Sequence, residues 1–294
     1  MNDSRGLFAQ PGNFAGLPPK LSDLNTAKVC ILPVPYDGTA EWHGGTRHGP
    51  KSIIEASYYL EMYDIELGKE ICNIGIHTLP EIEPVLSGPE AIIDRVYQAV
   101  KSLLDQSKFV VMLGGEHSIS FGAVKAFREK YNNLSVLQLD AHADLRDQYF
   151  GTKFSQACVM RRIIDLCPIA QVGIRSLSLE ENKYIMSNKL KPFFFELAYS
   201  PSTVEKIIAS LNDDVYLSID LDVFDPSIMS AVGTPEPGGM DWGQVTSLLK
   251  TVAKSKNIVG FDVVELCPDQ GPAACSFTAA KLVYKLLGYS FFNR

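Results

Sequence analysis

The chain has 294 residues, 46% of them hydrophobic, with a formal net charge of −7 and a pI near 5.3. That length suffices for a large core in one α/β domain, and an acidic surface disfavours nucleic acid and anionic membranes as partners. No apolar run reaches the roughly 18 residues of a membrane helix, the N-terminus lacks the basic-then-apolar order of a signal peptide, and the six cysteines form no CxxC pair and lie mostly in apolar runs, as thiols of a reducing compartment do; a cytoplasmic protein is expected.

Residues 1–26, rich in Gly, Pro, Asn and Ser, are expected to form an irregular arm packed on the body or on a neighbouring subunit. Lys28–Val34 (KVCILPV) reads as a first strand. The loop Pro35–Pro50 holds four glycines and two prolines, too many for a regular element, and carries Trp42, His43, Arg47 and His48. Two roles suit it: a cap on a hydrophobic corner through Trp42 and His43, or a wall of a substrate pocket, with Arg47 structural. Lys51–Tyr63 reads as a helix, Ile71–Ile76 as a short strand, and Pro89–Asp105 as an amphipathic helix opened by proline and Glu90. Strand Phe109–Leu113, helix Ser118–Tyr131, strand Leu134–Leu139, helix Phe154–Leu166 and strand Ile169–Ile174 follow. Helix Glu180–Ser187, a short strand at Pro192–Phe195 and helix Ser202–Leu211 lead to strand Val215–Asp220 and the loop Pro226–Gly239. Helix Asp241–Ala253, strand Asn257–Val264 and a last helix over Gly271–Leu287 complete the chain. The alternation predicts a three-layer α/β/α fold with a mainly parallel central sheet, as one domain over residues 1–294 without repeat or linker.

The chemistry gathers at strand ends. Val136–Asp147 (VLQLDAHADLRD) begins as a buried strand and ends in Asp140, His142 and Asp144 at alternate positions, which extended backbone would turn to one side. Val215–Asp220 (VYLSID) ends the same way in Asp220 and Asp222. Phe109–Leu113 (FVVML) runs into Gly114-Gly115-Glu116-His117-Ser118, where two glycines allow a tight strand-to-helix turn. Buried carboxylates are costly unless paired or bound to metal, and like charges a few ångströms apart raise each other's pKa. Two divalent cations would balance four carboxylates, and so oxygen-rich a ligand set favours manganese or magnesium. Parallel α/β sheets bind ligands at the carboxyl ends of their strands, where these residues fall.

GGEHS at 114–118, DAHAD at 140–144, SIDLDVFDP at 218–226 and GTPEPGG at 233–239 together resemble the ureohydrolase family of arginases and agmatinases, from about Val29 to Leu287, and look closer to agmatinases. The resemblance implies an arginase-like fold and two Mn2+ ions per chain. His117, Asp140, Asp144 and Asp220 would hold one, and His142, Asp140, Asp220 and Asp222 the other. It implies hydrolysis of a small cationic guanidino substrate to urea and a primary amine. Asp144 and Glu265 would be catalytic carboxylates, with Glu265, in the VVEL stretch, binding the guanidinium. It also implies a homotrimer or homohexamer.

One position departs from the family. The histidine expected after DAHAD, a proton shuttle, is replaced by Gln156, whose amide does not titrate near neutrality. His43 in the pocket-side loop is then the candidate shuttle. Agmatine, giving putrescine, is the expected substrate; aminopropyl-agmatine and guanidinobutyrate are alternatives. So are a low-activity paralogue serving as a binding or structural subunit and a dinuclear hydrolase of phosphoesters.

Overall fold

The computed structural model describes residues 12–292. The first eleven residues of the expected arm lie outside that range. From Gly12 the arm is not loose: Phe14 is fully buried, worth about 1.5–3 kcal/mol for a large apolar side chain. The backbone N–H groups of Phe14 and Ala15 donate to the hydroxyls of Thr78 and Ser57. A one-turn helix, α1 (Pro19–Ser22), then leads into the first strand.

The described strands are β1 (Val29–Val34), β2 (Tyr63–Asp64), β3 (Lys69–Glu70), β4 (Ile76–Thr78), β5 (Phe109–Gly114), β6 (Leu134–Leu139), β7 (Ile169–Ile174), β8 (Phe193–Phe194), β9 (Asp214–Asp220) and β10 (Asn257–Val264). Between them lie the helices α2 (Gly49–Ser57), α3 (Pro89–Asp105), α4 (Ser120–Lys130), α5 (Val159–Ile163), α6 (Leu179–Asn188), α7 (Pro201–Ala209) and α8 (Trp242–Ser255), with α9 (Ala273–Phe292) last. Eight strands make one sheet in the order β4-β1-β5-β10-β9-β6-β7-β8, and every pairing in it is parallel. β2 and β3 form a separate antiparallel hairpin.

Strand residues alternate between two cores, as the pleat requires. Ile31, Val111, Leu137, Leu217 and Phe261 pack on one face with side chains of α2, α7, α8 and α9. Leu32, Val110, Val136 and Tyr216 pack on the other with α3, α4, α5 and α6. The three-layer α/β/α arrangement is as predicted.

Local expectations fail where long-range contacts win. Ile71–Ile76 was expected to be extended, but Ile71–Ile74 is a 3-10 turn ended by Gly75 at φ +77; the Cys72 N–H donates to the Tyr284 hydroxyl on α9, which a strand there would not allow. The helix expected over Lys51–Tyr63 stops at Ser57, because the following segment enters the β2–β3 hairpin, where Lys285 holds Asp64 and Glu66. Phe154–Leu166 is a 3-10 turn, Gln156–Cys158, followed only by the short α5.

Candidate metal centre

Four neighbouring strands, β5, β10, β9 and β6, deliver the site at their carboxyl ends. After β5 the chain passes under the Tyr36 carbonyl so closely that a Cβ on Gly115 would lie 1.9 Å from it. Close approach, not unusual torsion, is what requires glycine there. Beyond β9, Asp222 sits in a 3-10 turn (Leu221–Val223), its N–H donated to Asp220 Oδ1 at 2.9 Å. After β6, the His142 N–H donates to Asp140 Oδ1 at 2.6 Å, and Asp144 adopts φ +54. Turns, rather than the extended backbone expected, therefore converge these side chains; a non-glycine residue at positive φ costs of order 1 kcal/mol or more and tends to occur at functional sites.

Two clusters result. His117 Nδ1 lies 3.1 Å from Asp140 Oδ2, 3.1 Å from Asp144 Oδ2 and 3.5 Å from Asp220 Oδ2. His142 Nδ1 lies 2.7 Å from Asp222 Oδ2 and 3.7 Å from Asp140 Oδ1. Asp140 belongs to both and turns one oxygen toward each. The structure thus brings together all six candidate ligands, and His117, Asp140 and Asp220, like Asp140, His142 and Asp222, have a spacing able to hold an ion.

The donor chemistry fits cations. His117 is 1% exposed, and its Nδ1 has no hydrogen-bond partner despite the carboxylates around it. Its Nε2 meets Ser218 Oγ at 2.8 Å, and the Ser218 hydroxyl donates to Asp262. Ser218 is thus an acceptor toward the ring, so neutral His117 carries its proton on Nε2 and aims the Nδ1 lone pair between three carboxylates. That is a ligand's orientation. Bare carboxylates 4 Å apart repel by about 4 kcal/mol even at an effective dielectric near 20. Burial opposes charge on His117, but Asp140, Asp144 and Asp220 outweigh it and hold its pKa well above the ordinary value. Burial, then Asp222 and Asp144, push Asp140 up to about 7. Asp222 stays low because, against burial, His142 faces it.

Around the clusters the sequence-derived residues separate. Glu265, at φ +67 directly after β10, is 9% exposed; its Oε1 accepts the His117 N–H at 2.7 Å. Burial and the nearby charge of Glu116 raise its pKa well above the carboxylate range. Gln156 lines a cavity of about 240 Å³ together with His142, Asp144 and Asp220, and its Oε1 is buried without a partner. His43 is not among the residues lining that cavity; its ring packs on Trp42 at a 4.3 Å centroid distance. The loop reaches the site instead through Glu41, which lines the cavity, and Thr39. The Thr39 hydroxyl donates to Glu116 and accepts the Gln156 N–H at 3.1 Å. Arg47 is structural, paired with Asp37 at 2.5 Å.

Several supporting residues escaped sequence reasoning. Gln138 and Gln171 face each other on β6 and β7, Asp262 lies inside β10, and Arg175 Nη2 donates to the carbonyls of Asp222, Phe224 and Glu236. The first three left a signal: a polar residue interrupting an apolar strand run, which must find an internal partner.

The chain matches the arginase family over residues 27–288. It is 38% identical to N(1)-aminopropylagmatine ureohydrolase of Synechocystis sp. over 273 residues, 90% of this chain and 89% of that one. It is 34% identical to agmatinase of Pyrococcus horikoshii over 91% of this chain and 94% of that one. The crystal structure of agmatine ureohydrolase of Thermoplasma volcanium superposes with a TM-score of 0.86 at 32% identity, covering 99% of this chain and 97% of that one. Arginase-family proteins are binuclear metal enzymes that act on small guanidino substrates. The chain belongs to this family of ureohydrolases, close to its agmatinases, and is a hydrolase of C–N bonds in linear amidines.

Proposed function

We propose that the protein hydrolyses a cationic guanidino compound, agmatine first, to urea and putrescine, using two manganese ions. His117, Asp140, Asp144 and Asp220 would hold one ion, and His142, Asp140, Asp220 and Asp222 the other. When bound, the ions supply Lewis acidity and draw a nucleophile from water at neutral pH. The observation that carries the reading is Glu265. It is a buried carboxylate, pinned by the His117 N–H and surrounded by other acids, so a cation is its natural partner. A guanidinium presents paired N–H donors to a carboxylate, which would orient its carbon toward the clusters.

Glu41 favours a second positive charge on the substrate. Of the acids lining the cavity, Glu181 is engaged by the N–H groups of Leu145 and Ser178, and Asp144 and Asp220 belong to the His117 cluster. Glu41 faces the neutral Tyr149 hydroxyl, and its charge would meet an ammonium at the substrate's far end. The Synechocystis relative, named for aminopropylagmatine, makes the longer polyamine the second substrate to try. We also read the chain as one domain, cytoplasmic, and assembling as a homotrimer or homohexamer, which rests on the family's habit.

The test is urea release by manganese-loaded protein from agmatine, N(1)-aminopropylagmatine, guanidinobutyrate and arginine. We expect turnover of the first two. Glu41→Gln should raise KM for these about fivefold, the ~1 kcal/mol scale of a partly exposed charge contact, and give no such loss with guanidinobutyrate, whose far end is a carboxylate. No urea from any of the four, with metal bound, overturns the reading in favour of an impaired paralogue, which Gln156 would suit.

A further inference from the structure

We infer that Gln138 and Gln171 form a buried amide relay that locks Asp140 in the one orientation able to serve both metal clusters, and that they are therefore positioning residues for the ion pair. The inference rests on the two-ion reading above. Gln138 is fully buried and Gln171 is 3% exposed; they are direct partners in the β6–β7 register.

The relay has a direction. Gln171 Nε2 donates to Ala143 O at 2.7 Å and to Gln138 Oε1 at 2.7 Å. With its oxygen so engaged, Gln138 must turn its Nε2 toward the site, where it donates to Asp140 Oδ2 at 2.6 Å and to His142 O at 3.3 Å. The other oxygen, Asp140 Oδ1, receives the His142 N–H at 2.6 Å. Each carboxylate oxygen thus has one fixed protein donor and faces one imidazole: Oδ2 faces His117 and Oδ1 faces His142. Without the Gln138 donor, Oδ2 loses its fixed partner and only the His142 N–H on Oδ1 restrains the carboxylate, which can then turn about its terminal bond. A turned carboxylate still ligates one ion; it no longer bridges two. The donor is also uncharged, so it orients Asp140 without cancelling the negative charge the cations need.

Partners of this kind are worth about 10–100-fold in metal affinity. The experiment titrates metal-free protein with Mn2+ alone, following heat and the electron paramagnetic resonance of free, isolated and exchange-coupled ions. Wild type should bind two ions and show the coupled signal. Gln138→Met, close in shape but without an N–H, should keep one ion and bind the second at least tenfold more weakly, with the coupled signal lost. Gln138→His, which restores a donor, should recover it. Gln171→Met, which unpins Gln138 without touching Asp140, should give a smaller loss in the same direction. Wild-type affinity for both ions in Gln138→Met overturns the inference. So does a drop in the melting temperature of the metal-free protein, shared by Gln138→Met and Gln138→His, with no difference between them in ion binding. Wild type that binds a single ion instead overturns the two-ion reading; a further loss of that ion's affinity in Gln138→Met would then still mark Gln138 as orienting Asp140.

Discussion

Glu265 Oε1 accepts the backbone N–H of His117 at 2.7 Å, across 148 residues of sequence. One bond thereby ties the acid after β10 to the turn that carries the first imidazole, so neither moves without the other. Glu265→Gln keeps an oxygen for that N–H and removes only the charge. Metal binding should survive, while kcat/KM for urea release should fall by at least 30-fold, the ~2–5 kcal/mol of leaving a buried charge without its partner. Loss of metal along with activity would mean that Glu265 supports the clusters rather than the substrate.

Metal uptake should release protons. Against the opposing effect of burial, the surrounding carboxylates hold His117 and His142 well above the ordinary histidine value. Asp140 rises to about 7 and Asp220 is raised too, in both cases chiefly by burial. At neutral pH the metal-free clusters therefore retain protons that a cation must displace. Affinity should rise with pH across the range from 6 to 8. Titration in two buffers of different ionisation enthalpy should show more than one proton released per chain. A pH-independent affinity would contradict this protonation pattern.

Gln156 has an unsatisfied buried oxygen at the cavity wall, whereas His43 is stacked on Trp42 and is not among the cavity's lining residues. Gln156→His should raise turnover, by up to the roughly 10²-fold at the low end of general acid–base effects, and add a titration near pH 6.5 to the rate profile. His43→Ala should leave turnover within about twofold. A large loss from His43→Ala would mark that residue as the proton carrier.

Glu66 gives a stability prediction far from the chemistry. Burial raises its pKa, but the ammonium groups of Lys250 and Lys285 and the Tyr289 hydroxyl together outweigh it and hold the group at about 2, below its ordinary 4.5. The cluster's contribution is therefore complete above about pH 4.5 and is lost as pH falls toward 2. The difference in unfolding midpoint between wild type and Glu66→Gln should be constant from pH 7 to 5 and shrink below that. A difference that grows on acidification would mean that Glu66 is not the charge these lysines hold.

Much of the site was legible because each of its four strands is an apolar run that ends abruptly in acids or histidine. β6 and β10 were bounded to the residue, and His117, Asp140, His142, Asp144, Asp220 and Asp222 meet as their positions after strands implied. What sequence could not provide is whatever depends on chain segments meeting from afar. Glu41 reaches the cavity because Thr39 ties the loop to Glu116. The 3-10 turn at Ile71–Ile74 answers to Tyr284, 212 residues from Cys72. The convergence of the acids depends on turns such as that at Asp144, whose positive φ no periodicity announces.

Arg175 gives the apo protein a future of its own. Its guanidinium grips the carbonyls of Asp222, Phe224 and Glu236, so a resident cation organises the loops beside the second cluster before any metal arrives. Emptying the clusters then need not unravel them. A chain that has not yet met metal then keeps these carbonyls gathered by Arg175, ready for it.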